Sequence, residues 1–524
     1  MMLLVTILLR RWAQTSLVLL AALAAGCASL PDMPPRAQSE VAAPAPVAPD
    51  TPLLQMARAS LDSETGVDFA GTSGLRLLSA GDEALAARLA LIERARHRID
   101  AQYYLIAADR SGRVFVRALR EAAARGVQVR LLVDDLHAAD VEPLLAGLDR
   151  MPNAEVRLFN PLPARRGPPA TRLMLSLHEF ERVNRRMHNK LLLVDRALAV
   201  TGGRNIGDMY FEVDDDAHFV DMDVLAAGAV IDGLAAVFDD FWRSDSSWPL
   251  QVLRPSASGA HAAGEHDVPG IDARLDDSAV AREIASGHLR MHLARARVLA
   301  DHAERARHGV PVGRDDGALY DALGALVQAR QEIVIASPYF IPGRKGLGMV
   351  KAVTGRGVRV RLLTNSVAGT DEPLAYWRYA HYRPELLELG VELHELSPRL
   401  AAQTRPARGT SASSAARLHG KLAVVDRSRV LIGSMNMDPR SARLNTEVGL
   451  LIDSPSLAAE VLAWSEREAL PGALRVRLDD ALRAPHWVAI DDLRLTVYDS
   501  EPELNLGERL RLALLSWFID EDLL

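Results

Sequence analysis

Residues Met187–Asp195 read MHNKLLLVD, and Leu418–Asp426 read LHGKLAVVD. In each, a lysine follows a histidine by two residues, an apolar run follows the lysine, and an aspartate closes the segment; the copies lie 231 residues apart. Lysine is scarce, occurring only at 190, 345, 351 and 421, although Lys and Arg together number 61. A lysine kept at matched places in a chain that otherwise uses arginine points to a need for a compact ammonium rather than a planar guanidinium.

Taken as a strand, the first segment places His188, Lys190, Leu192 and Val194 on one face, so that histidine and lysine can meet one ligand. Asp195 has the opposite parity and precedes the apolar run Leu198–Thr201, which makes it a hairpin support. The chain then reaches Gly202-Gly203-Arg204-Asn205, where glycine permits close backbone approach and asparagine ends the strand. The second copy repeats each step with His419, Lys421, Asp426, Gly433, Ser434 and Asn436.

The repetition extends outward. ARGVQVRLLVDD (124–135) and GRGVRVRLLTNS (355–366) share the same displacement, IDAQYYLI (99–106) resembles IVIASPYFI (333–341), and AEVRLFNP (154–161) resembles VELHELSP (391–398). One ancestral unit stands twice in tandem. Within each unit the expected order is strand, helix, strand, strand and then the motif, with the helix over 115–125 stopped by Gly126. Such alternation implies an α/β layer structure with helices covering a sheet.

A length of 524 residues favours more than one domain. A hydrophobic fraction of 49% is that of a folded body, and a net charge of -7 argues against a nucleic-acid partner. Arg10 and Arg11, the apolar stretch 17–25 and Gly26-Cys27 read as a lipoprotein signal over 1–27, with Cys27 as the lipidated residue. Residues 28–52, rich in Pro and Ala, read as a tether without core residues. The expected divisions that follow are domain 1 over 53–250, an insert over 251–315, domain 2 over 316–455 and an extension over 456–524. The amphipathic end of that extension, GERLRLALLSWFIDEDLL, reads as a packed helix. His288 and His292 have the helical spacing of a metal pair, but no third ligand is recognisable, so they read as surface histidines.

Both segments resemble the signature of the phospholipase D superfamily, and the wider match is closer to bacterial cardiolipin synthases of the C type. Its carriers include RVNRRMHNK, GGRNIGDMYF and FVDMDVLAAG in the first half, and SPYFIPG, YRPELLELGVELHEL and GSMNMDPRSARLNTEVGLLID in the second. The resemblance implies two tandem phospholipase D-like domains, each a mixed β-sheet sandwiched by α-helices, with the active site at the domain interface. One chain carries both motifs, so a monomer can hold the whole site. The implied activity is phosphatidyl transfer between phospholipids in the bacterial cell envelope, without a metal or other cofactor. Water as acceptor would make the same site a phospholipase, and the superfamily also contains nucleases.

The chemistry accounts for the residue types. A phosphodiester anion repels nucleophiles, so lysines and amide donors must neutralise its oxygens. One neutral imidazole can attack phosphorus while the other, protonated, serves the leaving oxygen. The resemblance favours His188 as nucleophile and His419 as acid and base; the motifs themselves are equivalent. A remote carboxylate should hold each imidazole, and the resemblance assigns Glu447 to His188 and Asp221 to His419. Asp214 to Asp216 and Asp223 remain competing acids. Asp134 and Asn365 end equivalent strands, where they line the cleft or serve turns. The run 182–190 either attracts lipid phosphates or solvates a helix, and Tyr376 stands where C-type relatives carry histidine, which bears on acceptor recognition.

Overall fold

The computed structural model describes residues 30–33, 50–61, 71–164, 169–213, 217–254, 278–309, 316–404, 415–479, 484–491, 494–504 and 507. Cys27, residues 214–216 and the chain beyond 507 lie outside them, and with them the lipidation reading, three competing acids and the terminal amphipathic stretch.

The first half contains the main helices α1 (Pro52–Leu61), α2 (Gly81–Arg94), α3 (Arg110–Ala124), α4 (Glu142–Asp149) and α5 (Val230–Arg243). Its strands are β1 (Thr72–Leu78), β2 (Arg98–Tyr103), β3 (Gln128–Asp134), β4 (Ala154–Phe159), β5 (Lys190–Val194), β6 (Leu198–Gly202), β7 (Ala217–Val220), β8 (Asp223–Gly228) and β9 (Ser247–Pro249). Helix α6 (Ala279–Ser286) and strand β10 (His292–Ala300) follow. The second half contains β11 (Glu332–Ala336), β12 (Arg359–Asn365), β13 (Glu392–Leu396), β14 (Ala415–Leu418), β15 (Leu422–Val425), β16 (Arg429–Gly433) and β17 (Val448–Asp453). Its main helices are α7 (Ala318–Val327), α8 (Gly343–Thr354), α9 (Pro373–Glu388) and α10 (Pro455–Trp464), and β18 (Ala473–Leu478), β19 (Pro485–Asp491) and β20 (Arg494–Tyr498) complete it.

In the first half the strands lie in the order β9-β4-β3-β2-β5-β6-β8-β1. In the second the order is β17-β16-β15-β11-β12-β13-β18-β19-β20. The parallel steps are β2-β3-β4 and β11-β12-β13, and the motif strand runs antiparallel beside each set. Its continuous apolar run is what a strand covered on both faces requires: Leu192 and Val194 enter one core cluster, Leu191 and Leu193 another. Helix α3 starts at Asp109, whose side chain accepts from Gly112 N–H (3.0 Å), and stops before Gly126, whose φ of +94° suits glycine.

Outside the two motifs the structure departs from the sequence reading in four places. A helix, α4 or α9, separates the second and third strands of each unit, because parallel neighbours need a crossover. The insert holds β10, which pairs antiparallel with β1 on one side and β17 on the other and so joins the halves into one 18-stranded sheet. His292 therefore sits on a strand, bonded to Glu460 (3.2 Å) and Ser456 (2.9 Å), and forms no helical pair with His288; no metal-binding cluster occurs among the described residues. Leu30, in the tether, packs partly buried on the first core cluster. That cluster and its counterpart serve the outer face of each half. Between them lies a third core drawn from both halves, including Phe238 and Phe241 of α5 and Val461 and Trp464 of α10.

Candidate active site at the junction of the halves

Each histidine precedes its strand instead of lying in it, and each is held by backbone from the other half. Strand β7 pairs in parallel with β14, so Val220 faces Leu418 and the next residues, Asp221 and His419, are neighbours; His419 N–H donates to Val220 C=O (2.9 Å). At the other motif Met187 bridges Thr446, and His188 N–H donates to Thr446 C=O (3.0 Å), which brings in Glu447. His188 Nδ1–H donates to Glu447 (2.9 and 3.1 Å to its two oxygens), and His419 Nδ1–H donates to Asp221 Oδ2 (2.6 Å). Both Nε2 atoms are thereby left for chemistry. The histidines keep 8% and 6% exposure while Glu447 and Asp221 have 0% and 1%, so substrate can reach the imidazoles but water does not reach the carboxylates.

The lysines and asparagines join them. Lys190 Nζ donates to His188 C=O (2.7 Å) and Lys421 Nζ to His419 C=O (2.5 Å). Asn205 Nδ2 donates to the Tyr210 hydroxyl (2.9 Å), and Asn436 N–H donates to Ser441 Oγ (3.0 Å). Both asparagine side-chain oxygens are buried without a protein partner.

The glycine pair of the motif is steric. A Cβ on Gly203 would stand 2.0 Å from Asp221 Oδ1, and one on Gly433 2.6 Å from Gly449 Cα. At Gly202, with φ of +156°, a Cβ would meet Asp223 Oδ1 at 2.4 Å. Ser434, the counterpart of Gly203, instead donates its hydroxyl to Glu447 Oε2, and Ser441 donates to Oε1 (2.8 Å).

Asp195 and Asp426 lie away from the imidazoles. Each accepts from three successive backbone N–H groups leading into the neighbouring strand, at 96–98 and at 330–332. Asp223 is buried between Arg88 (2.9 Å) and Arg204 (3.5 Å) and touches neither histidine. Asp134 and Asn365 turn out to anchor the residue before each histidine. Asp134 accepts from Met187 N–H (2.9 Å) and pairs with Arg186 (3.1 Å); Asn365 exchanges two bonds with the Leu418 backbone (2.7 and 2.8 Å). Arg186 is therefore committed within the fold. Tyr376 is buried in a network with Glu395, Glu501 and Arg383, which occupies its hydroxyl.

Several groups escaped the sequence reading. Tyr104 packs edge-on against His188 (5.1 Å between centroids) and under Lys190 Nζ (5.3 Å). Tyr210 and Phe219 pack on His419 at 5.1 and 4.8 Å. Arg440 spans the halves by donating to Asn184 Oδ1 (3.1 Å), and Tyr339 donates to Asp371 (2.5 Å). All lie within or beside the repeated segments, but aromatic and arginine residues there carry no spacing that marks them.

Electrostatics make the two motifs unequal. Burial, with Lys190 and Lys421 nearby, drives His188 well below the ordinary histidine value. Burial and Lys421 lower His419 as well, but Asp221 opposes them. Burial raises Glu447 to about 7 against the pull of Lys190 and the two serines. Burial also acts against the charge of Asp221, but His419, Lys421 and Arg204 outweigh it and bring the group to about 2. Burial lowers Lys190 to about 7 and Lys421 to about 8. A bound phosphodiester anion would restore both ammonium groups.

Two His-Lys motifs, each imidazole backed by a carboxylate from the other half, form a candidate phosphodiester site of the phospholipase D kind. The chain belongs to the family described as cardiolipin synthase, PLD-like domain, which matches residues 89–242 and 323–468, and it is an enzyme of that phosphatidyltransferase group. Cardiolipin synthase C of Escherichia coli K12 is 36% identical over 462 residues, covering 85% of this chain and 95% of its own. Cardiolipin synthase of Geobacillus thermodenitrificans is 28% identical over 421 residues, covering 78% and 68%. Among solved structures, phosphatidylserine synthase of Haemophilus influenzae superposes with a TM-score of 0.55 over 85% of this chain and 92% of its own; at 15% identity this shows a common fold.

Proposed function

We propose that the chain makes cardiolipin by moving a phosphatidyl group from phosphatidylethanolamine or phosphatidylglycerol to a hydroxyl of phosphatidylglycerol, through a covalent phosphohistidine. The observation that carries the direction of this reading is the inequality of the carboxylates. Both imidazoles are lowered, but the ionised Asp221 opposes the shift at His419, whereas His188 beside Glu447 is driven further down and is the more strongly neutral imidazole.

His188 Nε2 attacks phosphorus and the P–O bond to the leaving headgroup breaks, its oxygen taking the proton of His419 Nε2. The acceptor hydroxyl then gives its proton to His419 as its oxygen attacks phosphorus, the P–N bond breaks, and both imidazoles regain their starting states. Lys190, Lys421, Asn205 and Asn436 hold the phosphate oxygens. Anchoring through Cys27 in the cell envelope fits a substrate that stays in the bilayer. No helix among the described residues is long and apolar enough to cross a membrane.

The test is lipid mass spectrometry after incubation with defined phosphatidylglycerol and phosphatidylethanolamine, with acid-free quenching to map the adduct. Cardiolipin should form, with a phosphatidyl adduct on the His188 peptide, and His188→Ala and His419→Ala should each abolish it. Phosphatidic acid in place of cardiolipin would assign the site to hydrolysis, DNA cleavage without lipid turnover would make it a nuclease, and near-normal turnover in either variant would sink the two-histidine scheme.

A further inference from the structure

The two halves differ at one matched position. With the displacement of 231 that relates the motifs, Phe115 of α3 corresponds to Gly346 of α8. Phe115 is fully buried and packs its ring edge-on against Tyr103 at 5.6 Å. In the second half Gly346 brings no ring from the helix to that position and is bound to stay small, because a Cβ there would stand 2.9 Å from Pro342 Cβ; Tyr320 and Phe340 line the space from other elements. A cavity of about 300 Å³ opens there between α7, α8 and the sheet. Ile333, Ile335 and Val360 form its floor, and Leu323, Met349 and Val350 its walls.

Its position and its charge indicate an occupant. Met437 and Asp438, the residues directly after Asn436, line it, so the cavity reaches the segment that carries the second asparagine. Arg344, Lys345 and Arg443 line it and are exposed. The one carboxylate in the lining, Asp438, is raised by burial to about 7 and accepts from Ser441 N–H (2.8 Å). An apolar slot with cations at its edge is complementary to an amphiphile with an anionic head, and its volume is within the range of small-molecule sites.

We propose that this cavity takes part of one acyl chain of a glycerophospholipid substrate, with the phosphate on the Asn436 side and the three cations at the exposed edge. The inference rests on the phosphatidyltransferase reading and adds to it a chain-binding subsite in the second half.

Full-length protein is irradiated with phosphatidylglycerol carrying a diazirine in one acyl chain, and the labelled peptides are mapped. Label is expected on α7 and α8, and it should fall at least tenfold in Met349→Trp and in Leu323→Trp, each of which fills the cavity. Thermal melts identify which of the two variants folds. A folded variant should also lose at least tenfold in the ratio of long-chain lipid turnover to turnover of bis(p-nitrophenyl) phosphate, which has no chain. With monomeric short-chain lipids, wild-type kcat/KM should rise roughly fourfold per added methylene until the cavity is full. Label confined to other peptides, or a filled variant that keeps its long-chain preference, overturns the proposal. Failure of the functional reading looks different: the label still falls on α7 and α8, but the wild type turns over no phospholipid.

Discussion

Lys190 and Lys421 are the residues by which the site was first recognisable, and burial gives them their sharpest consequence. Both must be protonated to meet a phosphate, yet in the free protein they are lowered to about 7 and about 8. We therefore expect kcat/KM to fall as pH rises through 7 to 8, checked by a pH profile at subsaturating substrate. Lys190→Arg should lower kcat by about 10²-fold, the cost typical of losing one oriented transition-state donor, while Lys351→Arg on exposed helix surface should change nothing. Glu447 has the opposite sign from an ordinary ion-paired carboxylate. Its value is raised in the folded state, so its contribution to stability is complete below about 4.5 and is lost as pH rises toward about 7. Glu447→Gln should flatten the Tm profile across that window; an unchanged slope would contradict the assignment.

At the level of elements, the strand ends do the positioning. Strands β3 and β12 finish in Asp134 and Asn365, and each reaches the backbone just ahead of a histidine. These side chains could not be told from turn formers in the sequence, because their partners lie 53 residues away in the chain. Asn365→Ala removes both bonds to Leu418 and should cost roughly 1–3 kcal/mol in denaturant unfolding. It should also lower kcat by about 10²-fold with little change in KM, since a displaced imidazole damages attack more than binding. Equal losses in kcat and in affinity for a substrate analogue would show a site that had collapsed. Helices α4 and α9 are not evident in the sequence for a related reason: the crossover follows from the parallel pairing of β3 with β4 and of β12 with β13, which local spacing does not reveal.

Across the whole molecule, β10 decides the architecture. It makes the two repeated sheets continuous, and the core beneath the junction draws on both halves. Unfolding should accordingly be one cooperative calorimetric transition. Leu299→Ala, which empties a buried site on this strand, should lower its single Tm at a cost of roughly 2–5 kcal/mol. Two separated transitions would show that the halves fold independently. The strand went unread because Arg295 and Arg297 alternate with small or half-buried residues, a pattern close to that of a polar linker.

The candidate site was legible in the chain alone: His188, Lys190, Asn205 and their copies share one short spacing, and its duplication singles it out. The fold class followed from the same repetition, since each unit alternates strand and helix around its motif. Tertiary structure decided how each motif borrows its carboxylate from the other half, which depends on the pairing of β7 with β14 and of Met187 with Thr446. It also decided the difference between two equivalent motifs. Charge state depends on desolvation and on neighbours distant in sequence, so identical spacings acquire unequal carboxylates only once the chain has folded around them.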